Sequence, residues 1–260
     1  MTFPNHPAQV TAVRVRQTRT GNHGVHFGLV ELDLLAAHAG VRFPFPLRVP
    51  EFGRIAGERE VLLAAAGVTL RVRGLAGRRG PLGVAAELVT ALREYRGTVD
   101  LVLAGPGSVV GVVAMVYRSW ALICGQPLTG AQAKAGVRIR RVAQNALADE
   151  LIGLVPDVAA ARTVPITLPP DDRADPGVLD ELGGVLPELT GSGQLGATRR
   201  GTDEATRSSA ELSWLDGPHG RVRVNRAADG WLSVNPLRPN DMRLALDEFA
   251  MIARRGHDGT

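Results

Sequence analysis

Apolar and polar positions follow the same order twice along this chain: a helical stripe, several short strands of period two, then a second helical stripe. The first unit runs from about Gly83 to Pro156. Val84, Leu88, Ala91 or Leu92, and Tyr95 line one side of a helix over Val84–Tyr95. Strands follow at "TVDLVLA", "VVGVVAMVY", "WALICG" and "VRIRRV", where Val137, Ile139 and Val142 alternate with Arg138 and Arg140. The join at Arg118–Ser119 is tight enough for a hairpin. A helix over Asn145–Val155 closes the unit, with Leu147, Leu151 and Leu154 in line.

The second unit runs from about Pro176 to Arg255. Leu179, Leu182, Leu186 and Leu189 share a helical face that Gly183, Gly184 and Pro187 weaken. Strands are predicted at "QLGATR", "SAELSWLD", "GRVRVN" and "GWLSVNP", with the polar run "GTDEATRSS" as a mobile loop after the first. The closing helix spans about Asn240–Arg254 with Met242, Ala245 or Leu246, Phe249 and Ile252 facing inward.

Ahead of the repeats lies a short helix, Glu31–Ala39, ended by Gly40. In "FPFPLRVP" the prolines force an extended path, and Phe43, Phe45 and Leu47 are placed to pin it across a helix. A longer helix over Ala56–Arg73 takes Val61, Leu62, Ala65, Val68 and Leu70 as its apolar side, and Gly67, Val68 and Thr69 weaken its last turns. Its acids (Glu58, Glu60) fall near the start and its bases (Arg71, Arg73) near the end, as the helix dipole favours.

Neither unit has enough strands to bury both its helices. The expected fold is therefore mixed α+β: one central antiparallel sheet flanked by helices and shared by two pseudo-symmetric halves. Residues 1–23 read as a flexible N-terminal arm. Residues 24–260 read as one domain with halves of about 24–156 and 157–260.

Composition removes several functions. No apolar run is long enough to span a membrane as a helix, and the N-terminus has no secretory pattern, so a cytoplasmic protein is expected. Cys124 is the only cysteine, which excludes an internal disulfide. The net charge is +4 and the base is almost all arginine, with Lys134 the only lysine. Arginine is spread over nearly every element. The clusters at Arg71–Arg79 and Arg138–Arg141 have no aromatic neighbours on which single-stranded bases could stack.

Candidate chemistry is thin. The run "VDLVLAGPGSVVG" resembles a dinucleotide loop, but Pro106 removes a needed donor and a strand follows where a helix is required. His23 and His26 lack a nearby third ligand. The adjacent acid pairs Asp171–Asp172, Asp180–Glu181 and Asp203–Glu204 point apart and make poor catalytic dyads. No cofactor, metal or catalytic residue is assigned. Trp214 and Trp231, each in an amphipathic strand, are either core or aromatic anchors for a partner.

The order of "VELDLLAAHAG", "FPFPLRVPEFG", "REVLLAAAGVTLRVRGLA", "GQLGATRRG", "LSWLDGPHGRVRV" and "DGWLSVNP" resembles the EspG family, ESX (type VII) secretion-associated chaperones of actinobacteria. The resemblance extends over about Gly24–Arg255. It implies a central antiparallel sheet with helical bundles and quasi-two-fold symmetry. It also implies a cytosolic chaperone that covers the helical tip of a PPE protein in a PE–PPE pair, or of another helical ESX substrate, using the sheet face and the C-terminal helical region. Leu212, Trp214, Val222, Val224 and Phe249 fall in comparable parts of this chain. Two other classes remain open: an arginine-rich nucleic-acid binder and an enzyme with a dispersed site.

Overall fold

A computed structural model describes residues 24–130, 133, 135–170, 189–201 and 205–255. The arm at 1–23 and the helix expected at Leu179–Leu186 lie outside them.

The strands are β1 (Val25–Phe27), the small pair β2 (Ala76–Gly77) and β3 (Gly80–Pro81), β4 (Gly97–Gly105), β5 (Ser108–Tyr117), β6 (Trp120–Pro127), β7 (Val137–Ala143), β8 (Ile166–Leu168), β9 (Gly191–Arg200), β10 (Ala205–Gly217), β11 (Gly220–Arg226) and β12 (Leu232–Pro236). The helices are α1 (Leu29–Ala39), α2 (Ala56–Val72), α3 (Val84–Glu94), α4 (Leu147–Ile152) and α5 (Pro239–Arg254). Apart from β2 and β3, the strands form one ten-stranded sheet in the order β1-β7-β6-β5-β4-β9-β10-β11-β12-β8. Every pairing in it is antiparallel. The halves meet at β4 and β9, where Gly97 faces Arg199 and Ala104 faces Ser192. Each half supplies an edge strand, a four-strand meander and a closing helix, so the expected shared sheet with pseudo-symmetric halves is observed.

Helices lie on both sides. On one face α4 and α5 cover Val99, Leu101, Val112, Ala114, Leu195, Leu212 and Trp214. On the other, α1 and α3 cover Val113, Met115, Leu122, Val137 and Ile139. Cys124 is buried there, and desolvation pushes its thiol far above the usual range, so it is packing and not a nucleophile.

Local chemistry fixes the element ends. Glu31 reaches back to the Gly28 N–H at 2.9 Å, and Gly40, at φ 71°, closes α1. Pro106 and Gly107, with Gly107 at φ 72°, make the two-residue turn between β4 and β5, so the glycine-rich run is a hairpin. Pro239 and the Asp241 carboxylate start α5.

Four expectations are revised. The polar run after β9 is not wholly a loop, because Ala205, Thr206 and Arg207 pair with Arg200, Arg199 and Thr198. The helix expected over Asn145–Val155 is shorter, a 3-10 turn at Gln144–Ala146 followed by α4. The proline-rich segment is held by more than a helix: Phe43 and Leu47 join the cluster of Leu32 and Leu35 on α1, but Phe45 is exposed, Pro46 lies against Gly111 of the sheet, and the Gln126 side chain grips the Arg48 N–H and C=O at 2.7 and 2.9 Å. The expected apolar side of α2 is partly wrong as well. Ala66 and Leu70 are buried, whereas Val61, Ala65 and Val68 face outward.

Ion pairs set the rotation of α2. Near its start Arg59 donates to both Asp33 oxygens, at 2.8 and 3.0 Å. Just past its end Arg73 donates to Glu31 at 2.7 Å. Both acids are on α1 and buried. The helix also runs its full length through Gly67, where an added Cβ would meet only ordinary contacts at 3.6 and 3.7 Å. Gly67→Ala is therefore expected to raise stability by about 1 kcal/mol, read as a higher urea midpoint at unchanged slope.

Candidate partner-binding surface

On the face carrying α4 and α5, one stretch of the first half is left open by both helices among the described residues. Register places Val110 opposite Pro127, Val112 opposite Gly125, and Ile123 opposite Arg140. These positions share that face. Of these, Val110, Gly125 and Pro127 are partly exposed and floor an open trough of about 430 Å³, at whose base Val112 and Ile123 are buried core at 3% exposure; Leu154 beyond the end of α4 is one wall, and His26, Arg138 and Arg140 line the rim. Gly125 on the floor keeps the trough deep, since a Cβ there would meet only Val112 at 4.0 Å. Arg140 is tied to Glu150 of α4, and Arg138 is exposed with its guanidinium 3.4 Å from the Gly24 carbonyl.

The second half does not repeat this surface. Counting from the turns that open β6 and β11, Ile123 and Gly125 correspond to Arg223 and Asn225, both exposed and polar. Nearby, Trp214 packs flat over Gly193, where a Cβ would lie 2.0 Å from the indole ring. Arg221 and Asp216 form a pair buried on both sides, at 2.6 and 2.8 Å.

The expected contact residues mostly fall elsewhere. Leu212, Trp214 and Phe249 belong to the core between sheet and helices, and Val222 to a small cluster with Ile166, Leu168 and Val234. All four are at most 3% exposed, and they offer a partner no surface as the molecule stands. Val224 is partly exposed on β11. Of the two tryptophans expected in strands, Trp214 is core at 1% exposure, while Trp231 is 43% exposed just before β12. The sequence places Val110, Val112 and Ile123 in strands with no face assigned. The signal that could have found them is the arginine alternation in "VRIRRV", which marks the open face beside Val112 and Ile123.

The opposite face holds a polar network across the junction of the halves. Arg207 on β10 donates to both oxygens of Asp100 on β4, at 2.9 and 3.0 Å, and to Glu211 at 2.7 Å. Gln194 on β9 also donates to Glu211, at 2.9 Å. Burial pushes the Asp100 carboxyl up, against the pull of Arg207, whereas the Arg207 hydrogen bond holds Glu211 below the usual range. Phe45 lies beside this guanidinium at 5.6 Å. These groups converge, but each carboxylate is already held by an arginine. The arrangement clasps three strands together and leaves no acid or base free to exchange a proton. The cleft beside α1 is similar: Asp33 is taken by Arg59 and the Phe52 N–H.

Among the described residues no group of three or more His, Cys, Asp or Glu side chains is placed to hold a metal ion. His23 lies outside them. No described helix is long and apolar enough to cross a membrane. Much of the arginine is spent internally, on Asp33, Glu31, Glu150, Glu87, Asp100 and Asp216.

A family model described as the EspG family matches residues 29–248. No curated protein matches the sequence. Among solved structures, the fold is similar to a chain from the structure of the Mycobacterium tuberculosis type VII secretion system chaperone EspG5 in complex with a PE25–PPE41 dimer. The TM-score is 0.65 at 14% identity, covering 90% of this chain and 98% of that one.

Proposed function

This chain belongs to the EspG family, and from that premise we propose that it is a cytosolic chaperone for a helical substrate of type VII secretion. The substrate is a PPE-like protein, in a PE–PPE pair, or another helical ESX protein. The chaperone covers the apolar tip of the substrate helices and keeps it soluble until export. The trough on the first half supports this reading: an apolar floor at Val110, Gly125 and Pro127 beside arginines that can meet acidic flanks. A helix tip laid there would lose apolar surface to the floor while its charged residues stayed at the wet rim. The work is done by shape and desolvation, and no covalent step is required. The structurally similar EspG5 was solved with a PE25–PPE41 dimer, which makes a PPE-like protein the first partner to try.

The decisive experiment is co-purification with mass spectrometry, followed by substitution in the trough. A stoichiometric complex with a helical ESX substrate is expected. Val110→Asp, at a partly exposed floor position that also packs against the core, is expected to weaken capture by about tenfold or more, beyond what its lower melting temperature accounts for. Recovery of nucleic acid alone, with affinity falling steeply as salt rises, would favour the arginine-rich binder instead.

A further inference from the structure

At the end of the sheet away from the trough, the strands finish in arginine. Arg118 sits in the turn between β5 and β6, Arg96 immediately precedes β4, and Arg199 and Arg200 close β9. Backbone bonds make them neighbours. The Arg96 N–H donates to the Val116 carbonyl and the Arg200 N–H to the Arg96 carbonyl, each at 2.8 Å. The row therefore crosses three adjacent strands and the junction of the halves, about 10 Å in two strand spacings. Arg96, Arg118 and Arg199 are exposed, and no member of the row makes an ion pair among the described residues.

Folding does not account for this charge. Arg200 donates to the Leu92 and Arg93 carbonyls at the end of α3, at 3.3 and 2.7 Å, and lies over the Tyr95 ring at 4.8 Å. Such partners hold a guanidinium and cancel only part of its charge. Arg96 stands across from that arginine on the neighbouring strand, and like charges directly opposite are destabilising. Arg118 carries a second local cost. Its φ is 47°, in the left-handed region where a tight hairpin ordinarily has Asn or Gly. An anion from outside the fold offsets both costs.

The surroundings select the kind of anion. Tyr117 and Trp120 lie beside the row, half-buried, with ring centroids 4.8 Å apart. Arg118 already covers the Tyr117 ring at 5.2 Å and Arg141 the Trp120 ring at 5.1 Å, which leaves a nucleic-acid base little to stack on. A row of about 10 Å is short for following a phosphate backbone, but it equals about three residues of extended peptide. Guanidinium forks fit carboxylates in pairs of hydrogen bonds, and arginine beside tyrosine and tryptophan is the chemistry that dominates protein interfaces.

We propose that this arginine row is a docking site for an acidic segment of a partner protein, separate from the substrate trough. Arg118 and Val110 stand at opposite ends of β5, about 26 Å apart along the strand, so both sites can be filled together.

Fluorescence anisotropy of a labelled hexaglutamate peptide, titrated with the full chain, tests this. Binding on the order of 10 μM is expected at low salt, weakening as salt rises. Arg96→Glu and Arg118→Gly should each weaken it about fivefold or more, and both variants should melt at or above the parent's temperature, because each removes a local cost. Arg162→Glu, at an exposed arginine near the β10–β11 turn, should change binding less than about twofold. Val110→Asp should leave peptide binding as it is, so the trough and the row fail separately. No binding, or binding indifferent to Arg96→Glu and Arg118→Gly, overturns the proposal, and so does a lower melting temperature that by itself explains their loss. A thymidine oligonucleotide of equal charge that binds more tightly than the peptide assigns the row to nucleic acid instead. Asp203 and Glu204, between β9 and β10 in sequence, lie outside the described residues. Peptide that binds only after Asp203→Asn/Glu204→Gln would make those acids the row's own partner and overturn the proposal as well.

Discussion

Arg221→Met is expected to cost about 3–5 kcal/mol of folding stability, measured as a fall in urea midpoint. The Arg221 guanidinium donates to both oxygens of Asp216 and to the Pro156 carbonyl at 3.0 Å, and it lies over the Trp214 ring at 5.5 Å. Both members of the pair are buried, at 5% and 4% exposure. Removing the arginine leaves a carboxylate out of water with no counter-charge, and this penalty exceeds the attraction the pair supplied. The double variant Asp216→Leu/Arg221→Met should regain much of the loss, because no charge remains to be desolvated. A loss below about 1 kcal/mol for the single variant would show that the site opens to water more readily than its packing implies.

Gly97→Ala is the second substitution with a large effect, expected at about 3 kcal/mol or beyond. Gly97 sits on β4 at the junction of the halves, beneath the last turn of α5. A Cβ there would lie 2.6 Å from the Ala253 and Thr198 carbonyl oxygens and 2.7 Å from the Ala253 Cα. All three are backbone atoms, so no side chain can swing aside, and either α5 or the β4–β9 pairing must shift. Gly125→Ala is the matched control. It is also a strand glycine, but its Cβ would meet only Val112 at 4.0 Å, and it should be neutral or slightly stabilising. Parallel thermal melts of the two variants check the difference, and equal melting temperatures would refute the close approach of α5 to the sheet.

Alternation made the sheet readable from sequence. In "VRIRRV" the buried Val137 and Ile139 fall where period two puts them, whereas Val142 is out of that phase and packs on the opposite face of the sheet; proline and glycine marked the turn at Pro106–Gly107. The strand through Ala205–Arg207 was not legible. Polar residues hold it in the sheet through backbone pairing and through an Arg207–Asp100 contact that spans the two halves, and no local pattern encodes a partner so distant in the chain. On α2 the difficulty was reversed. Apolar residues occur on more than one side of that helix, and its inward side is chosen by Arg59 and Arg73 reaching acids on α1. The expected contact residues show a related difficulty. Leu212, Trp214 and Phe249 are the kind of residue that anchors a partner, but they are equally the kind that fills a core, and here they do the latter.

The sheet ends in β1 and β8, each paired over only three residues, Val25–Phe27 against β7 and Ile166–Leu168 against β12. A long bare margin on so broad a sheet would recruit extended segments from other chains and polymerise into fibrils. Margins this brief give an incoming strand too few backbone partners to hold, and at β8 the flanking Pro165 and Pro169 have no N–H to offer it, so the sheet stops growing.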